Sequence, residues 1–175
     1  MSANLDRAKE IFWRYGSGNR FYMDRDGVRE EYEELAVSPE QEAAWRAEFI
    51  EYWSTRLSTD DLTPLNNLLD AGAKEVLPRV LELADRGDDY ARLWFAIAIW
   101  KLAGGLAQDR RAEALAESNR ILAHLVANSS HISPLHRASV TRDMLAAFDA
   151  STAEEYVANY ARRKLAERKR LGLYK

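Results

Sequence analysis

Cysteine is absent from the 175 residues of this chain. A disulfide framework, a thiolate metal site and a cysteine nucleophile are therefore excluded. Also missing is an apolar run of about 20 residues, the length that a membrane-spanning helix requires. Residues 1–7 have neither the basic start nor the apolar centre of a secretory signal peptide. These absences predict a cytoplasmic protein that has no membrane partner.

The composition is that of a globular chain, with 47% hydrophobic and 30% charged residues. Its net charge of −3 gives no general attraction to nucleic acid or to acidic membranes. The length suits a single domain spanning residues 1–175. We expect four sections: irregular N-terminal helices and a loop over 1–37, central helical hairpins over 38–104, C-terminal helices over 105–170, and a tail over 171–175.

The longest apolar segment runs without interruption from Leu93 to Trp100. At 100° per residue its side chains point in every direction, whereas a surface helix has one apolar stripe and a polar back. We therefore predict one central buried helix over residues 90–103, surrounded by its neighbours. The five tryptophans are expected to contribute to an aromatic-rich core. They are Trp13, Trp45, Trp53, Trp94 and Trp100.

Apolar residues recur at three- and four-residue intervals through most of the chain, and no alternating β-branched run occurs. An all-α fold follows, and its short connections favour an array of antiparallel helical hairpins. Predicted helices cover about 73–86, 106–127, 134–148 and 152–170. The expected capping residues are Ser38, Asp88 or Asp89, Ser133 and Ser151.

Residues Ala73 to Gly104 resemble one HEAT-type helical repeat. The first helix has the proline and paired apolar residues of that pattern in Val76-Leu77-Pro78, and the turn Gly87-Asp88-Asp89 leads into a second helix of matching spacing. Phe95 and Trp100 stand where the family usually has small residues. The resemblance implies a compact, HEAT-like α-α superhelix that serves as a scaffold for binding other proteins and, in some members, nucleic acid.

The stretch from Gly16 to Gly27 combines aromatic and charged side chains between glycines, and we interpret it as a loop. Aromatic residues and arginine are enriched at the energetic centres of protein interfaces. The predicted partner-binding residues are Arg20, Phe21, Tyr22, Asp24, Arg25 and Asp26. The competing interpretation is that Phe21 and Met23 are buried and close the end of the helical array.

Charge is unevenly distributed along the chain. Residues 24–51 contain ten acidic residues and three arginines, a net charge of −7, whereas residues 161–175 contain seven basic residues and one glutamate, a net charge of +6. Opposite charges of this kind can pair within one molecule or head to tail in a homo-oligomer. Arg162, Arg163 and Arg168 are the candidate nucleic-acid contacts. The basic residues surround the whole helix circumference, which also fits a solvated helix end.

Catalytic, cofactor-binding and metal-binding residues are not predicted. His131 and His136 are five residues apart across a helix boundary, which does not suit a zinc site on one helix face. Ser133, His136 and Asp143 superficially have the chemistry of a catalytic triad, but no glycine-flanked nucleophile accompanies them. The expected function is a non-catalytic, bacterial-type cytoplasmic protein-interaction module, regulatory or immunity-like. The alternative is a HEAT-like protein that binds nucleic acid through its basic C-terminal helix.

Overall fold

The computed structural model describes residues 2–174, with the side chains of residues 2 and 3 excepted. Within this range the chain is helical and contains no strand, which confirms the predicted all-α class. The helices are α1 (Ser2–Arg14), α2 (Arg20–Arg25), α3 (Arg29–Glu34), α4 (Pro39–Ser54), α5 (Thr63–Asp70), α6 (Leu77–Leu83), α7 (Asp89–Leu102), α8 (Gln108–Asn128), α9 (Pro134–Ser139), α10 (Arg142–Ala147) and α11 (Ala153–Arg170). None of these helices is long and apolar enough to span a membrane.

The chain forms two compact units. The first comprises Met1–Leu57 and Thr63–Ala73, and the second comprises Ser58–Leu62 and Lys74–Lys175. The expectation of one domain over 1–175, with its four sections, stays a prediction, as does the HEAT-like hairpin array.

The first unit contains α1 to α5 and has a core rich in aromatic residues. Helix α1 packs on α4, where the Phe12 and Trp45 rings lie 5.7 Å apart and the Trp13 and Phe49 rings 5.4 Å apart. The buried core residues are Ala8, Ile11, Phe12, Tyr15, Met23, Tyr32 and Trp45. Helix α4 begins as expected, because the Ser38 hydroxyl accepts the Gln41 amide.

Gly18 and Gly27 have left-handed backbones in this unit, with φ of +82° and +70°. A Cβ at Gly18 would lie 2.7 Å from the buried Phe12 ring, whereas a Cβ at Gly27 would meet nothing within 4 Å. We expect Gly27→Ala to lower the free energy of unfolding by about 1 kcal/mol through backbone strain alone. Gly18→Ala should cost about 3 kcal/mol because overpacking adds to the strain. Urea denaturation measures both, and equal losses would contradict the predicted clash.

The second unit is built around α7. This helix packs against α6, α8 and α11, and ten of its 14 residues are buried. The predicted burial of this segment is therefore confirmed. Trp94 and Trp100 are half-buried, as are Trp13 and Trp53 in the first unit, so only Trp45 of the five tryptophans is fully in the core.

Several predicted helix boundaries are wrong. The helix over 73–86 is a 3-10 turn (Lys74–Val76) followed by the shorter α6, because Pro78 suits the first turn of a helix and not its interior. The helix over 134–148 divides into α9 and α10, because Val140 is extended and Thr141 caps a new start at the Met144 amide. Thr152, and not Ser151, caps α11. Helix α8 spans Gln108–Asn128, two residues later at its start than predicted.

Candidate functional site

Helix α2 carries the predicted partner-binding residues, so the interpretation of residues 16–27 as a loop is wrong for Arg20–Arg25. The Asn19 side chain accepts the Phe21 amide and begins the helix. Met23 is fully buried in the core of the first unit and anchors the helix there. A short, capped and anchored helix therefore holds the surrounding side chains in defined positions.

Phe21 is the most exposed large hydrophobic residue among those described, with 70% of its surface accessible. Its ring packs edge-on against the half-buried Tyr22, with 5.5 Å between the ring centroids. The interpretation that Phe21 is buried is therefore wrong, whereas Met23 is buried as that interpretation expected. Aromatic residues, phenylalanine included, are enriched at protein interfaces, so Phe21 and Tyr22 make this face of α2 a candidate binding surface.

Beside this aromatic pair lies a shallow cavity of about 280 Å³ that includes Tyr22, Arg25 and Asp26. The Arg25 guanidinium lies 5.1 Å from the Tyr22 ring centre, and its Nε donates to Asp26 Oδ1 at 2.6 Å. This hydrogen bond lowers the pKa of the Asp26 carboxyl. Both charges are exposed and so can exchange partners at low cost. We call the surface of Phe21, Tyr22, Arg25 and Asp26 the α2 surface.

Arg20 and Asp24 do not belong to the α2 surface. Arg20 Nη2 donates to Glu42 Oε1 at 2.6 Å, and the Tyr32 hydroxyl donates to the same oxygen at 2.7 Å. Burial and then the Glu42 carboxylate raise the pKa of Tyr32, so this hydroxyl remains a donor. Asp24 Oδ2 accepts from Arg29 Nη1 at 2.9 Å. These two predicted partner-binding residues thus connect helices within the first unit.

Much of the acidic excess of residues 24–51 is neutralised by cations of the same unit. Ion pairs outside α2 join Arg7 to Glu31, Lys9 to Glu48, and Arg29 to Glu33. Glu30 and Glu34 of α3 make no ion pair with any residue in the 2–174 range. Negative charge therefore persists on α3, the helix that follows the α2 surface.

The three candidate nucleic-acid contacts on α11 have different environments. Arg162 and Arg163 are exposed, and Arg162 Nη1 donates to Asn159 Oδ1 at 2.5 Å. Arg168 is only 2% exposed and donates from Nη1 to Ser118 Oγ at 2.9 Å and Asn119 Oδ1 at 2.7 Å. Its assignment as a phosphate contact, and as part of a solvated helix end, is wrong because so little of its surface is open at the outside of the helix that an extended phosphate backbone cannot contact it.

A buried carboxylate–imidazole pair connects α7 to α9, and sequence reasoning did not find it. His136 Nδ1 lies 2.8 Å from Asp88 Oδ2, and both side chains are buried. Burial by itself would raise the pKa of Asp88, but hydrogen bonds from Ala91, Ser133 and His136 lower it below its ordinary value. Asp88 and His136 are 48 positions apart, and the only sequence signal was that Asp88 suited a helix cap.

This pair does not form the triad suggested by the sequence. Asp143 is exposed on α10, and the Ser133 hydroxyl accepts the His136 amide. His136 Nε2 has no hydrogen-bond partner within residues 2–174, so no hydroxyl nucleophile is activated there. In the same range no group of three His, Asp or Glu side chains could hold a metal ion. What the contacts show is that the pair joins the start of α7 to α9 inside the second unit.

Comparisons of the chain with protein-family models, curated proteins and solved structures find no match. The HEAT-like repeat over 73–104 therefore stays a prediction.

Proposed function

We propose that this protein is a non-catalytic, cytoplasmic protein-interaction module of the regulatory or immunity-like kind, and that the α2 surface binds its protein partner. The observation that carries the proposal is the exposure of Phe21 on a helix that Asn19 caps and Met23 anchors. An anchored aromatic side chain loses little conformational entropy on binding, so its apolar area contributes efficiently to affinity.

The chemistry around Phe21 limits the kind of partner. Tyr22 adds aromatic area, and the Arg25–Asp26 pair provides one donor and one acceptor group at the rim of the cavity. Glu30 and Glu34 of α3, which form no ion pair among the described residues, favour a partner with basic residues beside an apolar pocket. Such a partner can also be the basic C-terminal helix of a second copy, which would form the head-to-tail homo-oligomer.

The nucleic-acid alternative has less support. Burial of Arg168 removes one of its three candidate contacts. Arg162 and Arg163 are exposed but are adjacent in sequence and so point about 100° apart on α11. Two divergent arginines do not provide the basic stripe that tracks a phosphate backbone.

The proposal is tested by replacing Phe21 with glutamate. Affinity purification from a bacterial lysate, followed by calorimetry with the recovered partner, should show at least about a tenfold loss of affinity, since central aromatic residues often contribute 2 kcal/mol or more. Charge reversal of Asp26 should weaken the same complex by a smaller factor, because it lies at the rim.

Leu135→Glu is the matched control, because Leu135 is 63% exposed on α9 in the second unit and lies outside the α2 surface. It should leave the complex unchanged. The proposal fails if Phe21→Glu and Leu135→Glu have equal effects, or if the folded wild type yields no complex.

A further inference from the structure

Arg168 is a buried cation that has no carboxylate partner within residues 2–174. Its two hydrogen-bond acceptors, Ser118 Oγ and Asn119 Oδ1, are neutral. The adjacent Glu167 pairs with Lys164 at 2.9 Å instead. Arginine is almost never fully buried without an opposite charge, because removing an ion from water is costly. Among the residues that the structure describes, Arg168 therefore has no ion-pair partner, and only the Glu167 carboxylate acts on its charge from a greater distance.

Two side chains of α8 hold the Arg168 guanidinium from one side. Ser118 donates its own proton to the Ala96 carbonyl, so its oxygen is free to accept from Arg168. The Asn119 amide nitrogen donates to the Leu173 carbonyl at 3.1 Å, which fixes its oxygen toward Arg168. Both protons of Nη1 are used in this way, whereas Nε and Nη2 make no hydrogen bond to any group in the described part of the chain.

Arg168 also lines a cavity of about 270 Å³ between α7 and α11. Aromatic side chains form much of its wall, and the Arg168 guanidinium lies 5.6 Å from the Trp100 ring centre. Three cations and one carboxylate contribute to the lining, so the cavity has net positive charge. We call it the Arg168 cleft. Its lining residues are Trp94, Ile97, Trp100, Lys101, Tyr160, Lys164, Glu167 and Arg168.

We propose that the Arg168 cleft binds a small organic carboxylate that carries a flat aromatic group. The carboxylate accepts hydrogen bonds from the unpartnered Nε and Nη2 of Arg168, which have the planar geometry for a two-point contact. The ring packs against Trp94, Trp100 and Tyr160. At roughly 30 Å³ per water molecule, the volume corresponds to about nine waters, which suits a ligand of about ten non-hydrogen atoms.

Two further observations bear on the ligand. The aromatic lining favours an anion that carries a flat ring over a small inorganic anion such as phosphate, which would leave the Trp94, Trp100 and Tyr160 side chains in contact with water. Burial lowers the pKa of Arg168 to about 10, so the guanidinium is still cationic at neutral pH and available to an anion. This inference is independent of the α2 surface, which belongs to the first unit.

The test uses 4-fluorobenzoate as the probe and 4-fluorobenzyl alcohol as its uncharged counterpart, with binding to the full chain followed by fluorine NMR. We expect saturable binding of the benzoate at least about tenfold tighter than that of the alcohol, since hydrogen bonds to charged groups contribute about 1.5–3 kcal/mol. Arg168→Met should remove this preference. Lys169→Met, which removes an exposed charge from the same helix outside the cleft, should leave it unchanged.

A second variant avoids any change in the core. Lys101 is exposed at the cleft, so Lys101→Glu should leave the fold intact and weaken benzoate binding about threefold or more by repulsion. Circular dichroism checks that each variant is folded. If Arg168→Met does not fold, the effect of Lys101→Glu on benzoate binding tests the proposal in its place. The proposal is overturned if the benzoate and the alcohol bind wild type equally or not at all, if folded Arg168→Met retains the preference, or if inorganic phosphate displaces the benzoate at equal concentration.

Discussion

Phe95→Ala is expected to lower the free energy of unfolding of the second unit by about 4 kcal/mol, within the range for truncation of a buried aromatic residue. Phe95 lies on α7 and has no accessible surface. Because α6, α8 and α11 all pack on this helix, the neighbours cannot move into the vacated space without losing other contacts. The loss should appear as a lower midpoint in urea denaturation followed by circular dichroism at 222 nm.

Two changes on the same helix serve as references for Phe95→Ala. Lys101→Ala removes an exposed side chain and should change the free energy of unfolding by no more than about 0.5 kcal/mol. Ile99→Val removes one methylene group from a fully buried residue and should cost about 1 kcal/mol. A loss below about 1 kcal/mol for Phe95→Ala would mean that α7 is not tightly enclosed, and the assigned architecture of the second unit would be wrong.

Asp88→Ala should lower the free energy of unfolding by an amount similar to that of Phe95→Ala, but for an electrostatic reason. The buried Asp88 carboxylate accepts from the Ala91 amide at 2.9 Å, the Ser133 amide at 2.7 Å and His136 Nδ1 at 2.8 Å. Alanine leaves these donors buried without a partner, and each such group costs about 1–3 kcal/mol. We therefore expect a loss of about 4 kcal/mol in urea denaturation, allowing for partial relaxation.

The effect of Asp88→Ala should also depend on pH. The folded-state pKa of Asp88 lies below its ordinary value of 3.8, so its stabilisation is complete above that value and is lost as the pH falls through the folded-state pKa. The difference between wild type and Asp88→Ala should therefore narrow in acid. Asp143→Ala, at an exposed site, should cost about 0.5 kcal/mol or less. Comparable losses for the two variants at neutral pH would show that the buried pair does not stabilise the fold.

The helical class and the burial of α7 could be read from local sequence. An apolar run that leaves no polar face has to be enclosed wherever it occurs, and the capping preference of Ser38 depends only on the residues that follow it. Boundaries were less predictable where local signals compete. Thr141 caps a new helix inside the predicted segment 134–148, although the apolar spacing continues across it.

The roles of single side chains were predicted less accurately than the helices, because the sign of a side chain's charge does not indicate whether it is exposed. Arg162, Arg163 and Arg168 are equivalent in a basic stretch, yet only Arg168 turns toward Ser118 and Asn119 on α8. Arg20 and Phe21 are neighbours on α2, but Arg20 pairs with Glu42 while Phe21 is exposed. Which face of a helix meets a neighbour depends on a partner that lies far away in sequence.

The sequence by itself determined an all-helical chain, the buried position of α7 and the start of α4, because periodicity, hydrophobicity and capping act over a few residues. Only the tertiary structure decided that Asp88 meets His136, that Arg168 lies buried with no ion pair to any residue of the 2–174 range, and that Phe21 remains exposed. Those outcomes depend on packing against another helix or on contacts between residues 22 to 50 positions apart in sequence. Arg20 with Glu42 and Arg168 with Ser118 are two such contacts. Local sequence does not indicate which distant residues will meet, since the chain brings these groups together only when the helices pack.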